Sequence, residues 1–294
     1  MRGEPLPCIK NKNMSARTII GIDLGGTNVR AGIAHGRKIE AIRSARINSN
    51  GTVAEVLHEL YLVTDRLMND SVKAIGIGVP GLVDIQEGVV YDVVNIPSWI
   101  QVPLKKLMET RYRVPVLINN DANCFVLGEH CFGKGQDYDS LIGLNIGTGL
   151  GAGIMIANKL YAGANCGAGE FGMVDYLDKN FEFYASGQFF QNAYQIDGES
   201  AFDSAMEGKA EAIKMFKEFG THLGNAIKMI LYTFDMKLIV LGGSVRHAWP
   251  FFSETMWKSI RTMVFTRSVE QLRIVVSELE NGGILGATAL HYNE

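Results

Sequence analysis

Cysteine is sparse, proline is scarce, neither charge dominates, and no apolar run approaches a bilayer span in this 294-residue chain. Each shortage excludes something. The cysteines, Cys8, Cys124, Cys131 and Cys166, contain no Cys-x-x-Cys pair, so nothing indicates a zinc ribbon or a disulfide scaffold. Cys124 and Cys131 lie seven residues apart and read as two buried, small apolar side chains sharing a helix face. Reduced thiols point to a cytoplasmic setting. A formal net charge of −3 makes no electrostatic case for nucleic acid or an anionic membrane surface. Met1 to Asn13 is polar, carries Pro5 and Pro7, and lacks the apolar centre of a signal peptide. Residues 1–16 are therefore expected to form a disordered extension.

Apolar residues and glycine are what the chain has in quantity. Hydrophobic residues at 47% against 20% charged allow a sizeable core, and the length suits two domains. Thr18 to Leu24 reads as a buried strand running into Gly25-Gly26-Thr27-Asn28, after which Val29 to Ala34 resumes the apolar pattern. A strand follows the glycine turn, unlike dinucleotide-binding and Walker sites, where a helix does. Val56, Leu57, Leu60, Val63 and Leu67 fall at helical spacing between Val53 and Met68. Val72 to Val79 and Val114 to Ile118 are further buried strands, and Ala122 to Phe132 reads as a helix. The series restarts with a strand at Leu141 to Ile146, glycines from Gly147 to Gly153, and a strand at Ile154 to Ala157. A long helix at Ala210 to Phe234, a strand at Lys237 to Leu241 and a last helix at Ile284 to His291 follow. The expectation is a duplicated α/β architecture of two lobes with a central cleft. Residues 17–121 plus 281–294 would form the N-terminal lobe and 122–280 the C-terminal lobe.

The glycine turns suggest phosphate. At Asp23-Leu24-Gly25-Gly26-Thr27 the missing side chains let backbone N–H groups approach phosphate oxygens, and Thr27 adds a hydroxyl. An acid such as Asp23 belongs at a phosphate site only if a hydrated cation, typically Mg²⁺, stands between them. Gly147-Thr148-Gly149-Leu150-Gly151 repeats this chemistry, and Gly242-Gly243-Ser244 presents bare backbone suited to an adenosine. Any one of these turns also reads as an ordinary tight hairpin or strand-to-helix turn. Asp121, after Asn119-Asn120, reads equally as a helix N-cap and as a base for a hydroxyl proton. On their own, Glu170 and Glu182 read as solvated loop carboxylates, and Asn95 as the start of a turn.

Taken in order, Asp23 to Asn28, Asn120-Asp121-Ala122-Asn123, Gly147 to Gly151 and Val240-Leu241-Gly242-Gly243 resemble the signature segments of the ROK family (repressors, open reading frames, kinases). Gly167 to Gly172 and Glu182 to Gly187 resemble further segments, so the likeness runs from about Ile19 to the last helix. The resemblance implies an actin-like ATPase (ribonuclease H-like) fold, ATP and Mg²⁺. It also implies a homodimer that phosphorylates a hexose or amino sugar, glucose first. It makes Asp121 the base and places Gly81, Asn95, Asn120, Glu170 and Glu182 around the sugar. Asp23, Gly25, Gly26, Thr27, Asn28, Gly147, Thr148, Gly149, Gly242 and Gly243 fall around the nucleotide, with Asp23 holding Mg²⁺ through water.

The chain departs from that pattern at one place. Kinases of the family carry Glu-x-Gly-His and then a cysteine-rich zinc loop. Here the segment reads Glu170-Phe171-Gly172-Met173, with eleven residues between Glu170 and Glu182. We expect no zinc, a lost polar contact to the sugar, and a loop held by packing of Phe171, Tyr176, Phe181 and Phe183. A sugar-responsive repressor would need a DNA-reading helix-turn-helix, for which the stretch before the first strand is too short. A sugar-binding protein with decayed catalysis is the other alternative, motivated by Met173. Asp121 and the glycine turns argue against it.

Overall fold

A computed structural model describes residues 17–292. In chain order the elements are β1 (Thr18–Leu24), β2 (Asn28–His35), β3 (Lys38–Arg46), α1 (Val53–Asp65), β4 (Val72–Val79), β5 (Leu82–Asp84), β6 (Val89–Tyr91) and β7 (Gln101–Val102). They continue as α2 (Leu104–Tyr112), β8 (Val116–Asn120), α3 (Asp121–Phe132), β9 (Leu141–Ile146), β10 (Leu150–Ile156) and β11 (Lys159–Leu160). Next come β12 (Asp175–Tyr176), β13 (Lys179–Asn180), α4 (Phe181–Ala185), α5 (Gln188–Tyr194), α6 (Gly198–Met206) and α7 (Ala210–Phe234). The chain ends with β14 (Leu238–Gly242), α8 (Trp249–Ile260), α9 (Thr266–Gln271), β15 (Arg273–Val276) and α10 (Gly282–Ala289).

The described residues fall into two compact units. The first runs to Asp139 and adds Gly153–Ala168 and the residues from Glu278 onward; the second is Ser140–Ala152 with Gly169–Ser277. The first unit thus extends beyond residue 121, because α3 packs on α10 with backbone against backbone. A Cβ on Gly286 would overlap the Cys124 carbonyl, and one on Gly128 would lie 3.1 Å from the Gly286 Cα.

The first unit is built on a sheet of order β3-β2-β1-β4-β8, in which β1 pairs with β4 and β4 with β8 in parallel, while β2 runs antiparallel to both of its neighbours, β1 and β3. Ile20, Ile22, Ile75 and Ile77 fill its core beneath α1, whose apolar residues Val56, Leu60 and Val63 are buried. Helix α1 starts where Thr52 and Glu55 form a reciprocal capping box. On α10's side the neighbouring partners Gly21 and Gly76 lack side chains for a reason. A Cβ on either would overlap a carbonyl oxygen of α10, that of Ile284 or of Ala287.

In the second unit β14 lies between β9 and β15 and is parallel to both. The 25-residue α7 carries Gly220 and Gly224 one turn apart, and these let α8 approach to backbone contact at Phe252 and Met256. Phe216, Phe219, Leu223 and Ile227 bury the rest of that face.

Candidate active site

In the first unit Asp23, Gly78 and Asn119 are register partners on the adjacent strands β1, β4 and β8. The strands end together just beyond them, and this carboxyl edge is where open α/β sheets bind ligands. At the usual strand spacing, Asp23 and Asn119 stand about 10 Å apart along the edge.

The first glycine turn joins β1 to β2. The Gly25 N–H donates to the Asn28 carbonyl at 2.8 Å, and the Ile47 N–H donates to the Thr27 carbonyl at 2.8 Å. Thr27 and Asn28 are exposed, with the Asn28 amide donating to the Thr27 hydroxyl at 3.1 Å. Asn95 lies against the turn: a Cβ on Gly26 would stand 2.5 Å from the Asn95 Cβ. Below the turn, Asp23 abuts the start of α10, where a Cβ on Gly283 would overlap its carboxylate. Burial pushes the Asp23 carboxyl up, and the positive charge of Arg30 pulls it partly back.

At the end of β8 the cap falls to Asn120 and not to Asp121. The Asn120 Oδ1 accepts the Ala122 N–H at 2.9 Å and the Asn123 N–H at 3.4 Å. Its Nδ2 donates to the Gly81 carbonyl at 3.2 Å. Gly81 needs to be glycine there, with φ of +92°. Asp121 is the first residue of α3, half-buried, with Oδ1 accepting the Ala122 N–H at 2.8 Å. The helix N-terminus stabilises its negative charge.

The sequence reading missed the support beneath this corner. The buried Asn119 Oδ1 accepts from Asn123 Nδ2 at 2.9 Å and from the Cys166 thiol at 3.2 Å. The signal available was two asparagines four apart beside an apolar helix. Burial pushes the Cys124 and Cys166 thiols up, which makes both poor nucleophiles. Cys124 and Cys131 are both buried on α3, as their spacing predicts, and Cys124 and Cys166 are free.

In the second unit Asn145 of β9 pairs with Gly242 of β14, so the second glycine turn and Gly243 leave the same sheet edge. The Gly147 N–H donates to the Gly149 carbonyl at 3.1 Å, and the Gly187 N–H donates to the Gly147 carbonyl at 2.7 Å. Gly243 takes φ of +77° and crosses so close to Ile146 that any side chain would collide with its backbone. A cavity of about 740 Å³ opens beside these turns, lined by Gly147, Thr148, Gly187, Phe190, Phe202 and Val245 among others. Of the helices that carry its phenylalanine rings, α5, α6 and α7, only α7 is legible in the sequence.

Glu182, on α4, turns one oxygen onto the second glycine turn. Its Oε2 accepts the Leu150 N–H at 3.0 Å, and a Cβ on Gly149 would stand 2.5 Å from that oxygen. A solvated loop carboxylate it is not. Glu170 keeps an open face, yet the surrounding protein, and then the charge of Glu182, push its carboxyl up. The shortened loop between them is an aromatic core: Tyr176 stacks on Phe181 at 4.3 Å, and Phe171 meets Phe234 edge-on at 5.9 Å. Among the described residues no three His, Cys, Asp or Glu side chains group as metal ligands.

Residues 19–294 match the model of the ROK family. The glucokinase of Thermotoga maritima is 26% identical over 308 residues, covering 92% of this chain and 96% of that protein. The xylose repressor of Caldicellulosiruptor bescii is 27% identical over 332 residues, covering 98% of this chain and 82% of that protein. Among solved structures, a ROK family glucokinase from Streptomyces griseus in complex with glucose and AMPPNP superposes with a TM-score of 0.79. It is 28% identical and covers 93% of this chain and 98% of its own.

Proposed function

Because the chain belongs to the ROK family and has the actin-like ATPase fold, we propose that it is a kinase. It moves the terminal phosphoryl group of ATP to a hydroxyl of a hexose or amino sugar, glucose first. One observation carries the reading. Asp121 stands on the same sheet edge as Asp23 and the Gly25–Asn28 turn, while Asn120 takes over the helix cap that would otherwise explain an acid there. The similarity to glucokinases over nearly the whole chain supports it.

In this reading the sugar hydroxyl lies against Asp121, which takes its proton as the new P–O bond forms and ADP leaves. Gly81, Asn95, Asn120, Glu170 and Glu182 orient the sugar, and the raised Glu170 carboxyl suits it to hydrogen-bond a hydroxyl. The backbones of Gly25, Gly26, Gly147 and Gly149, with Thr27, Asn28 and Thr148, bind phosphate oxygens. Gly242 and Gly243 take the adenosine, and the Phe190–Phe202 cavity suits an adenine ring. Mg²⁺ would neutralise phosphate charge. Asp23 fits it: a carboxylate is a hard oxygen donor, and a cation would offset the cost of its burial. The protein would act in the cytoplasm as a homodimer on a small-molecule sugar, without zinc and without a nucleic-acid or membrane partner.

The test is purified protein with ATP, Mg²⁺ and a panel of hexoses and amino sugars, following ADP release. Sugar-dependent release is the expected outcome. Sugar binding by calorimetry with no turnover on any member would instead favour a sugar-responsive regulator, the reading that the likeness to a xylose repressor raises.

A second measurement asks whether the second turn meets phosphate. A Cβ on Gly147 would have nothing within 4 Å. Gly147→Ala should therefore shift thermal stability by no more than a surface change does, within about 1 kcal/mol. If phosphate approaches that backbone, KM for ATP rises at least about tenfold. An unchanged KM would return the turn to a purely structural role.

A further inference from the structure

We infer that Tyr176, held by His222 and Asn225, is the positioning residue that fixes Glu182 on the second glycine turn. Tyr176 ends β12 of a two-strand hairpin whose other strand, β13, leads directly into α4. Its ring stacks on Phe181, the first residue of α4, and meets Tyr184 edge-on at 5.6 Å. Its hydroxyl reaches α7 twice: it accepts from Asn225 Nδ2 at 2.7 Å and lies 3.2 Å from His222 Nδ1. Asn225 is itself held, its Oδ1 accepting the Ser259 hydroxyl of α8 at 2.8 Å. Helices α7 and α8 are locked backbone to backbone at Gly220 and Gly224, so the anchor point is rigid.

The phenol accepts from Asn225, and its single O–H can donate to a bare His222 Nδ1, the tautomer that carries the ring proton on Nε2. Nε2 faces the Glu218 carboxylate at 3.9 Å, and the rings of Tyr184 and Phe189 close the other sides. Burial also holds His222 toward its neutral form.

The connection onward is short. Phe181 precedes Glu182, α4 is capped by Asn180 through the Phe183 N–H at 2.9 Å, and Glu182 receives the Leu150 N–H. Five residues are too few for a helix to hold itself. The orientation of Glu182 therefore depends on where Tyr176 docks. Loosening that dock lowers the fraction of molecules in which Glu182 is aimed correctly, and apparent affinity falls by the same fraction. The effect on sugar binding rests on the kinase reading, whereas the effect on Leu150 does not.

The experiment compares Tyr176→Phe and His222→Phe, each keeping a ring but losing one partner of the bond, with His222→Asn, which keeps an acceptor near Nδ1. Hydrogen exchange at the Leu150 amide should speed up about fivefold to tenfold in both phenylalanine variants, the loss of one buried hydrogen bond. Sugar KM should rise by a similar factor with kcat within about twofold, and His222→Asn should stay near the parent in both readouts. Should one phenylalanine variant not fold, the other decides. Leu150 exchange unchanged within about twofold, with only a lowered melting temperature, overturns the proposal. A parent protein that phosphorylates no sugar refutes the kinase reading and leaves the Leu150 readout to decide this one.

Discussion

Asp121→Asn is expected to lower kcat for sugar phosphorylation by about 10²- to 10⁴-fold, the span of general-base catalysis. The substitution is nearly isosteric. An Asn side chain can still accept the Ala122 N–H that Asp121 Oδ1 accepts at 2.8 Å, so the start of α3 keeps its local bond. What disappears is basicity, together with one negative charge at a helix N-terminus, worth about 0.3–1 kcal/mol. Melting temperature should therefore move little, and sugar KM should stay within about threefold. The Asn120 cap, with its bonds to Ala122 and Gly81, is untouched. Steady-state kinetics on the best sugar of the panel, with a melting curve beside it, separates the cases. If the variant keeps more than about a tenth of the parental kcat, Asp121 is not the base. If activity falls only in step with stability, it acts through the fold.

The second large effect concerns stability. Gly76→Ala places a methyl group on the backbone of α10, overlapping the Ala287 carbonyl. No flexible side chain is there to move, and Gly21, the register partner on β1, meets the Ile284 carbonyl in the same way. Relief requires sliding α10 off the sheet, which also disturbs its contact with α3 at Gly286 and Gly128. We expect a loss of at least about 3 kcal/mol, the upper part of the range for overpacked cores, seen as a lower denaturant midpoint. Gly208→Ala is the control. Gly208 takes φ of +82° with nothing within 4 Å of an added Cβ, so only backbone strain of about 1 kcal/mol is at stake. A Gly76 variant as stable as the Gly208 variant would mean that α10 does not lie on the sheet this closely.

The sequence bears on these predictions unequally. Thr18–Leu24, Val72–Val79 and Ala210–Phe234 appear in the structure with the bounds their periodicity predicts, because apolar alternation and helical spacing are written in neighbouring residues. The small sheet β5–β7 and helices α5 and α6 are not legible in the sequence. Their strands are only two or three residues long, and the helices carry mixed polarity that no period resolves. The aromatic packing of the shortened loop was legible as a group of rings, but its polar anchor was not. Tyr176 meets residues 46 and 49 positions away.

By itself, then, the sequence determined what short-range chemistry can determine: buried strands, glycine turns between them, an acid after Asn119-Asn120, and family membership through the order of those segments. Only the tertiary structure decided which neighbour caps α3, which glycines are there for backbone contact, and that Glu182 reaches the Leu150 amide. The reason is distance along the chain. A hydrogen bond or a steric overlap between residues tens to hundreds of positions apart leaves no periodic trace in either segment, and exists only once the sheet and its helices have brought them together.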